Sequence, residues 1–97
     1  MPDVRNGDSW KVEEGRWGGQ WTEVKGKGED LQEWVHYANE DKVLIHFADD
    51  HVYVERHKPG DKHFYHGVVH DNGKFISGTY LISSMKGEFN WTAKVNY

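Results

Sequence analysis

The 97-residue chain contains no cysteine. Disulfides, thiol nucleophiles and thiolate metal ligands are therefore excluded, and packing alone must hold the fold. Proline is nearly absent, with 2 residues, so glycine, with 11, has to punctuate the chain. No run approaches the roughly 20 apolar residues of a membrane helix, and no membrane partner is expected. The start, MPDVRNGDSW, lacks the apolar core of a signal peptide, which predicts a cytoplasmic protein. Positive charge is also short: 12 Lys and Arg face 16 Asp and Glu, a net charge of -4. Without a basic stripe, nucleic acid is not an expected partner. Neither an HExxH pattern nor a GxSxG elbow occurs.

What the chain does have is 14% aromatic residues, with 5 Trp and 7 His, in short glycine-punctuated segments. Such segments favour strands over helices. Strands are predicted over 9–13, 16–25, 31–38, 43–48, 51–57, 62–70, 74–83 and 88–96. A short helix capped by Asp30 is the alternative for 31–38. Asn72-Gly73 and Pro59-Gly60 are the best turn signals, because type I′ and type II turns need residues that accept positive φ. The domain is expected to span 9–97, with 1–8 as an N-terminal segment open to disorder.

The turns also predict register. A two-residue loop at Asp49-Asp50 sets Phe47 opposite Val52 and Ile45 opposite Val54. A loop at 58–61 sets Val54 opposite Tyr65 and Arg56 opposite His63, and Asn72-Gly73 sets Tyr65 opposite Tyr80 and Gly67 opposite Gly78. A loop at 84–87 sets Tyr80 opposite Trp91, and a turn at 39–42 sets Ala38 opposite Val43. Because side chains alternate with period two, a slip of one residue would scramble the faces. Instead one face is coherent: Val43, Ile45, Phe47, Val52, Val54, Tyr65, Val69, Ile76, Tyr80, Ile82, Phe89, Trp91, Ala93 and Val95. With no helix to cover that face, the sheet must close on itself. The expected fold is all-β, an antiparallel up-and-down meander of about eight strands closed into a small barrel, with a β-sandwich as the alternative. On the outer face, Phe64, Val68, Phe75 and Leu81 form an apolar patch that could serve a homodimer or another protein partner.

Polar residues break the inner face. Arg56 and His63 lie opposite each other near the KPGD turn, and the register turns Trp34 and His36 inward. Trp17 and Trp21 share a face in GRWGGQW. The candidate binding residues are therefore Trp17, Trp21, Trp34, His36, Arg56, His63, Tyr65, Tyr80 and Trp91. Mostly apolar walls with a few placed polar groups describe a small-molecule pocket. The same aromatics could equally fill a barrel of this size. Histidine also raises the question of a metal. The register aligns His46, Tyr53, His66, Thr79 and Thr92 on the outer face, with His46 and His66 about 9–10 Å apart, too far for a tight shared site. His51, His57 and His63 are scattered near turns, so no metal site is expected. Asp49-Asp50 and Glu40-Asp41 are turn acids expected to bond nearby backbone. One acid–base set remains, His36 or His63 with Tyr65 or Tyr80 and Arg56 as anion stabiliser. No catalytic residue and no cofactor is assigned, and binding is expected rather than turnover.

Gly15-Arg16-Trp17 leading into the meander resembles the Gly-x-Trp opening of the lipocalin and avidin-like barrels, the calycins. GKFISGTY (73–80) and GEFNWTA (87–93) look like the hairpins of the avidin-like members. The resemblance implies an eight-stranded barrel holding a small ligand, with Trp17 sealing the closed end and Tyr80 and Trp91 facing the pocket. WGGQW (17–21) with GTY and GEF also resembles the Gly-Trp-rich segments of small cyanobacterial mannose lectins, which implies a glycan on exposed Trp10, Trp17 or Trp21. The two resemblances differ in one respect: a carrier needs Trp17 and Trp21 inside, and a lectin needs one of them partly exposed.

Overall fold

A computed structural model describes residues 3–97. Eight strands follow in order: β1 (Ser9–Glu14), β2 (Trp17–Lys25), β3 (Leu31–His36), β4 (Lys42–Ala48), β5 (His51–Lys58), β6 (Asp61–His70), β7 (Phe75–Ile82) and β8 (Phe89–Asn96). Each pairs antiparallel with the next, and β8 returns to β1, closing a barrel. This is the up-and-down meander expected from the alternation, and the 31–38 segment forms a strand rather than a helix. No helix among the described residues is long and apolar enough to cross a membrane.

Turn chemistry explains most of the register. Asp49 (φ 56°) and Gly60 (φ 73°) take the left-handed conformation in two tight turns, and Asp71, Asn72 and Gly73 all do so between β6 and β7. Phe47 pairs with Val52, Arg56 with His63, Tyr65 with Tyr80 and Gly67 with Gly78, as the turns predict.

Two connections differ from expectation. Gly78, not Tyr80, lies opposite Trp91, and Tyr80 faces Phe89, so the β7–β8 connection spans 83–88. Trp91 needs Gly67: a Cβ there would come within 2.8 Å of Trp91 Cζ2, so the ring lies where a side chain would be. The Ser83 and Ser84 hydroxyls donate to Asp61 at the start of the neighbouring β6, and Ser83 N–H donates to Lys62 O at 2.9 Å, which holds the start of this loop against β6. The outer row consequently continues from Thr79 to Asn90 rather than to Thr92. In the other connection Trp34, not Ala38, faces Val43. There the chain folds back on itself, with Glu40 N–H donating to His36 O and His36 N–H to Asp41 O, both at 2.8 Å. Both slips are even, so every side chain keeps its face.

Trp10, Trp21, Trp34 and Trp91 are fully buried and fill one half of the barrel. Trp10 is central, with ring centroids 5.1 Å from Trp34, 5.9 Å from Trp21 and 6.3 Å from Trp91. Beneath them the N-terminal segment crosses the barrel end. Val4 is buried, and the Arg5 carbonyl accepts from Gly28 N–H and Gln32 Nε2, each at 2.8 Å. Gln32 Oε1 in turn accepts from Trp34 Nε1 at 2.8 Å. The opposite end carries the connections 15–16, 37–41, 59–60 and 83–88, and it is open.

Candidate functional site

The open end holds a cavity of about 890 Å³. Its wall has two halves, set by strand order. Along β7, β8, β1 and β2 stand Tyr80, Phe89, Glu14 and Trp17. Facing them from β3, β5 and β6 are His36, Arg56, Lys58, Asp61 and His63, while Ile82 and Met85 border the β7–β8 connection.

Five of the nine candidate residues meet here: Trp17, His36, Arg56, His63 and Tyr80. Tyr65 lies just below, and Trp21, Trp34 and Trp91 belong to the packed half. Trp17 requires a correction. It shares a face with Trp21, but it pairs with Glu14 at the last rung before the Gly15-Arg16 turn. No layer of side chains lies beyond that rung, so Trp17 is 73% exposed at the open mouth rather than sealing the closed end. Trp10 and Trp21, surface residues on the lectin resemblance, are completely buried.

Charge in the site is organised around Arg56. Its Nε and Nη2 donate to Asp41 Oδ2 at 3.2 and 3.1 Å, and Nη1 lies 3.6 Å from Glu14 Oε2. All three side chains are largely shielded from water. Asp41 therefore makes a buried ion pair, not the local turn bond expected of it. Its signal was the alternation of β4, which extends from Val43 back to 41; Glu14 likewise continues the inward series Trp10, Val12. Lys58, also missed, forms no ion pair among the described residues.

Below the cavity, Tyr65 Oη donates to Glu14 Oε1 at 2.8 Å, and His63 Nδ1 lies 3.3 Å from the same Oη. The Tyr80 ring stacks with Tyr65 at 5.0 Å and with His63 at 6.0 Å. Burial lowers the pKa of His63, and Lys58 and Arg56 lower it further against the pull of Asp61 and Asp41. His36 is lowered in the same way, by burial first and then by Arg56. Burial and Glu14 raise the Tyr65 hydroxyl. The Ser83 and Ser84 hydroxyls hold Asp61 down to about 2.

These shifts give the fold an acid-sensitive term. His36 and His63 resist protonation when folded but accept it freely when unfolded, near pH 6.5. The unfolded state then binds more protons, so stability is fully present above that pH and is lost as pH falls toward the folded values. The urea midpoint is expected to fall between about pH 7.5 and about pH 5, with a shallower fall in His63→Gln. An identical slope in that variant would remove His63 from the account.

On the outer face His46 and His66 flank Tyr53, as the register predicts. His51, expected to stand apart, instead meets His66, with Nδ1 and Nε2 3.0 Å apart. Among the described residues no three His, Asp or Glu side chains converge as metal ligands. Phe64 and Leu81 pair directly and are exposed, while Val68 and Phe75 are half-buried. Set against known proteins, the chain matches no family model, no curated protein and no solved structure.

Proposed function

We propose that the barrel mouth binds a small apolar or aromatic ligand with a polar or anionic end, without turning it over. The observation that carries this is the cavity itself. Its volume falls within the roughly 300–1,000 Å³ of small-molecule sites, and a few polar groups converge among aromatic walls. Trp17, Tyr80 and Phe89 offer ring faces, each worth about 0.5–1.5 kcal/mol beyond simple burial when stacked. His63, Lys58 and Arg56 stand opposite to receive the polar end. Lys58 is the better anchor for an anion, because Asp41 and Glu14 together more than offset the single charge of Arg56. Like the calycins, such a protein would use the barrel as a rigid frame, but the ligand would sit in the open half, above the tryptophans.

Tryptophan fluorescence tests this proposal. Iodide is expected to quench one component, from Trp17, leaving a blue-shifted remainder from the four buried rings. The apolar anion ANS should bind saturably and protect Trp17, and Trp17→Phe should retain more binding than Trp17→Ala. ANS uptake that leaves Trp17 fully quenchable would place the dye elsewhere and overturn the proposal.

The exposure of Trp17 meets the condition set by the lectin resemblance, not that of an interior carrier, and favours a second reading, a glycan stacked on that ring beside Gly15 and Gly18. Protection of Trp17 by mannose but not by ANS would select it.

A further inference from the structure

We propose that Glu14 and Tyr65 lock His63 as the Nδ1–H tautomer, leaving its Nε2 lone pair to receive a proton from a weak acid bound at the mouth. The inference rests on the mouth being a ligand site and names the class it takes: carboxylic acids or acidic phenols, held as an anion beside an imidazolium.

The argument is one of hydrogen-bond polarity. An ionised Glu14 has no proton to give, so the contact between Tyr65 Oη and Glu14 Oε1 uses the single proton of the tyrosine. Tyr65 Oη can then only accept from His63 Nδ1, 3.3 Å away. A neutral imidazole carries one N–H, so Nδ1 holds it and Nε2 is bare. Reversing the chain would place a proton on Glu14, whose other oxygen already faces the Arg56 guanidinium at 3.6 Å. Asp41 fixes Arg56 in turn. Tyr65 and Glu14 are therefore positioning residues, and His63 is the group that meets the ligand.

The surrounding charges make the proton conditional on the ligand. From β5, Arg56 and Lys58 oppose a charge on His63, while Asp61 on β6 and Asp41 from the β3–β4 connection favour it. Glu14 of β1 acts through Tyr65, and the Tyr80 ring of β7 covers one side. Burial is the largest influence, and it keeps the free site neutral. Asp61 Oδ2 already lies 4.0 Å from Nε2, and a bound anion adds a second negative charge there, which reverses that balance. The ligand O–H bond breaks and an Nε2–H bond forms. If the ligand arrives already ionised, the proton comes from solvent.

Three naphthyl probes share one body and differ in charge: naphthylacetate, naphthylmethanol and naphthylmethylamine. Titration calorimetry in two buffers of different ionisation enthalpy counts the protons exchanged. Close to one proton should be taken up per naphthylacetate bound, and none with naphthylmethanol or in His63→Gln. Naphthylacetate affinity should rise by up to about tenfold per unit fall in pH where one proton is linked. The tautomer is read independently, from long-range proton–nitrogen correlation of the labelled imidazoles. Wild type should show Nδ1–H, and Tyr65→Phe should shift toward Nε2–H. An Nε2–H tautomer in wild type overturns the inference whatever binds. Naphthylacetate binding without proton uptake overturns it too, yet leaves the mouth as a ligand site. If none of the three probes binds, both the inference and the ligand site fail.

Discussion

Trp21→Ala should lower unfolding stability by about 3–5 kcal/mol, the range for removing a fully buried large aromatic. Trp17→Ala, four positions away on the same strand face, should change it by no more than about 0.5 kcal/mol. Trp21 is completely enclosed, with its ring 5.0 Å from Tyr65, 5.9 Å from Trp10 and 6.1 Å from Trp91. No neighbour can collapse into the space without dismantling the four-ring cluster. For a domain with a total stability of about 5–15 kcal/mol, that loss brings the chain close to its folding limit. A milder change separates packing from hydrogen bonding. Trp21 Nε1 has no acceptor among the described residues, whereas Trp91 Nε1 donates to His66 O at 3.0 Å. Trp21→Phe removes a penalised donor along with the lost area, whereas Trp91→Phe removes a hydrogen bond along with it, so the second should cost more. Urea midpoints at constant m-value give all four numbers. Equal losses at positions 17 and 21 would mean that the mouth is covered and the site is not open.

The same pair of tryptophans shows how far sequence patterning reaches. Parity along β2 correctly puts both on one face, but parity says nothing about depth along the barrel axis. Trp17 belongs to the last rung, which is visible only once the Gly15-Arg16 turn is known to be the rim. The fold was more legible because its evidence repeats. Tight turns with residues suited to positive φ sit between β4 and β5, β5 and β6, and β6 and β7, and each independently predicts the same inner face. Where the turn signal weakens, over 37–41 and 83–88, the predicted loops are too short. At 83–88 the contacts that set the loop are long-range. Ser83 and Ser84 reach Asp61, 22 and 23 positions away, and no local pattern announces such a bond.

The site was half legible for a related reason. Arg56 and His63 stand out because they interrupt an apolar face, and their cross-strand pairing follows from the Pro59-Gly60 turn. Glu14 and Asp41 lie on the same face, but each sits at a strand end or in a turn, where an acid usually has a local role. Carrying the alternation of β1 and β4 one rung further would have found both. Lys58 left no such trace, because a lysine beside a turn is ordinary surface until the cavity next to it is seen.

Arg56→Ala tests this charge arrangement most severely and should cost about 3–5 kcal/mol near neutral pH. The arginine itself contributes little net energy, since bringing it and two carboxylates out of water offsets much of their attraction. Its removal is costly because Asp41 and Glu14 stay shielded with no cation beside them. That asymmetry predicts rescue. In the Arg56→Ala background, Asp41→Asn should restore part of the loss, although in the wild-type background it is destabilising. Urea unfolding of the four-member cycle at about pH 7.5 measures the coupling between Arg56 and Asp41. A loss below about 1 kcal/mol in Arg56→Ala would mean that water already reaches Asp41 and Glu14. The mouth would then have no dry floor, and the relay from Glu14 through Tyr65 would no longer hold the His63 proton in place.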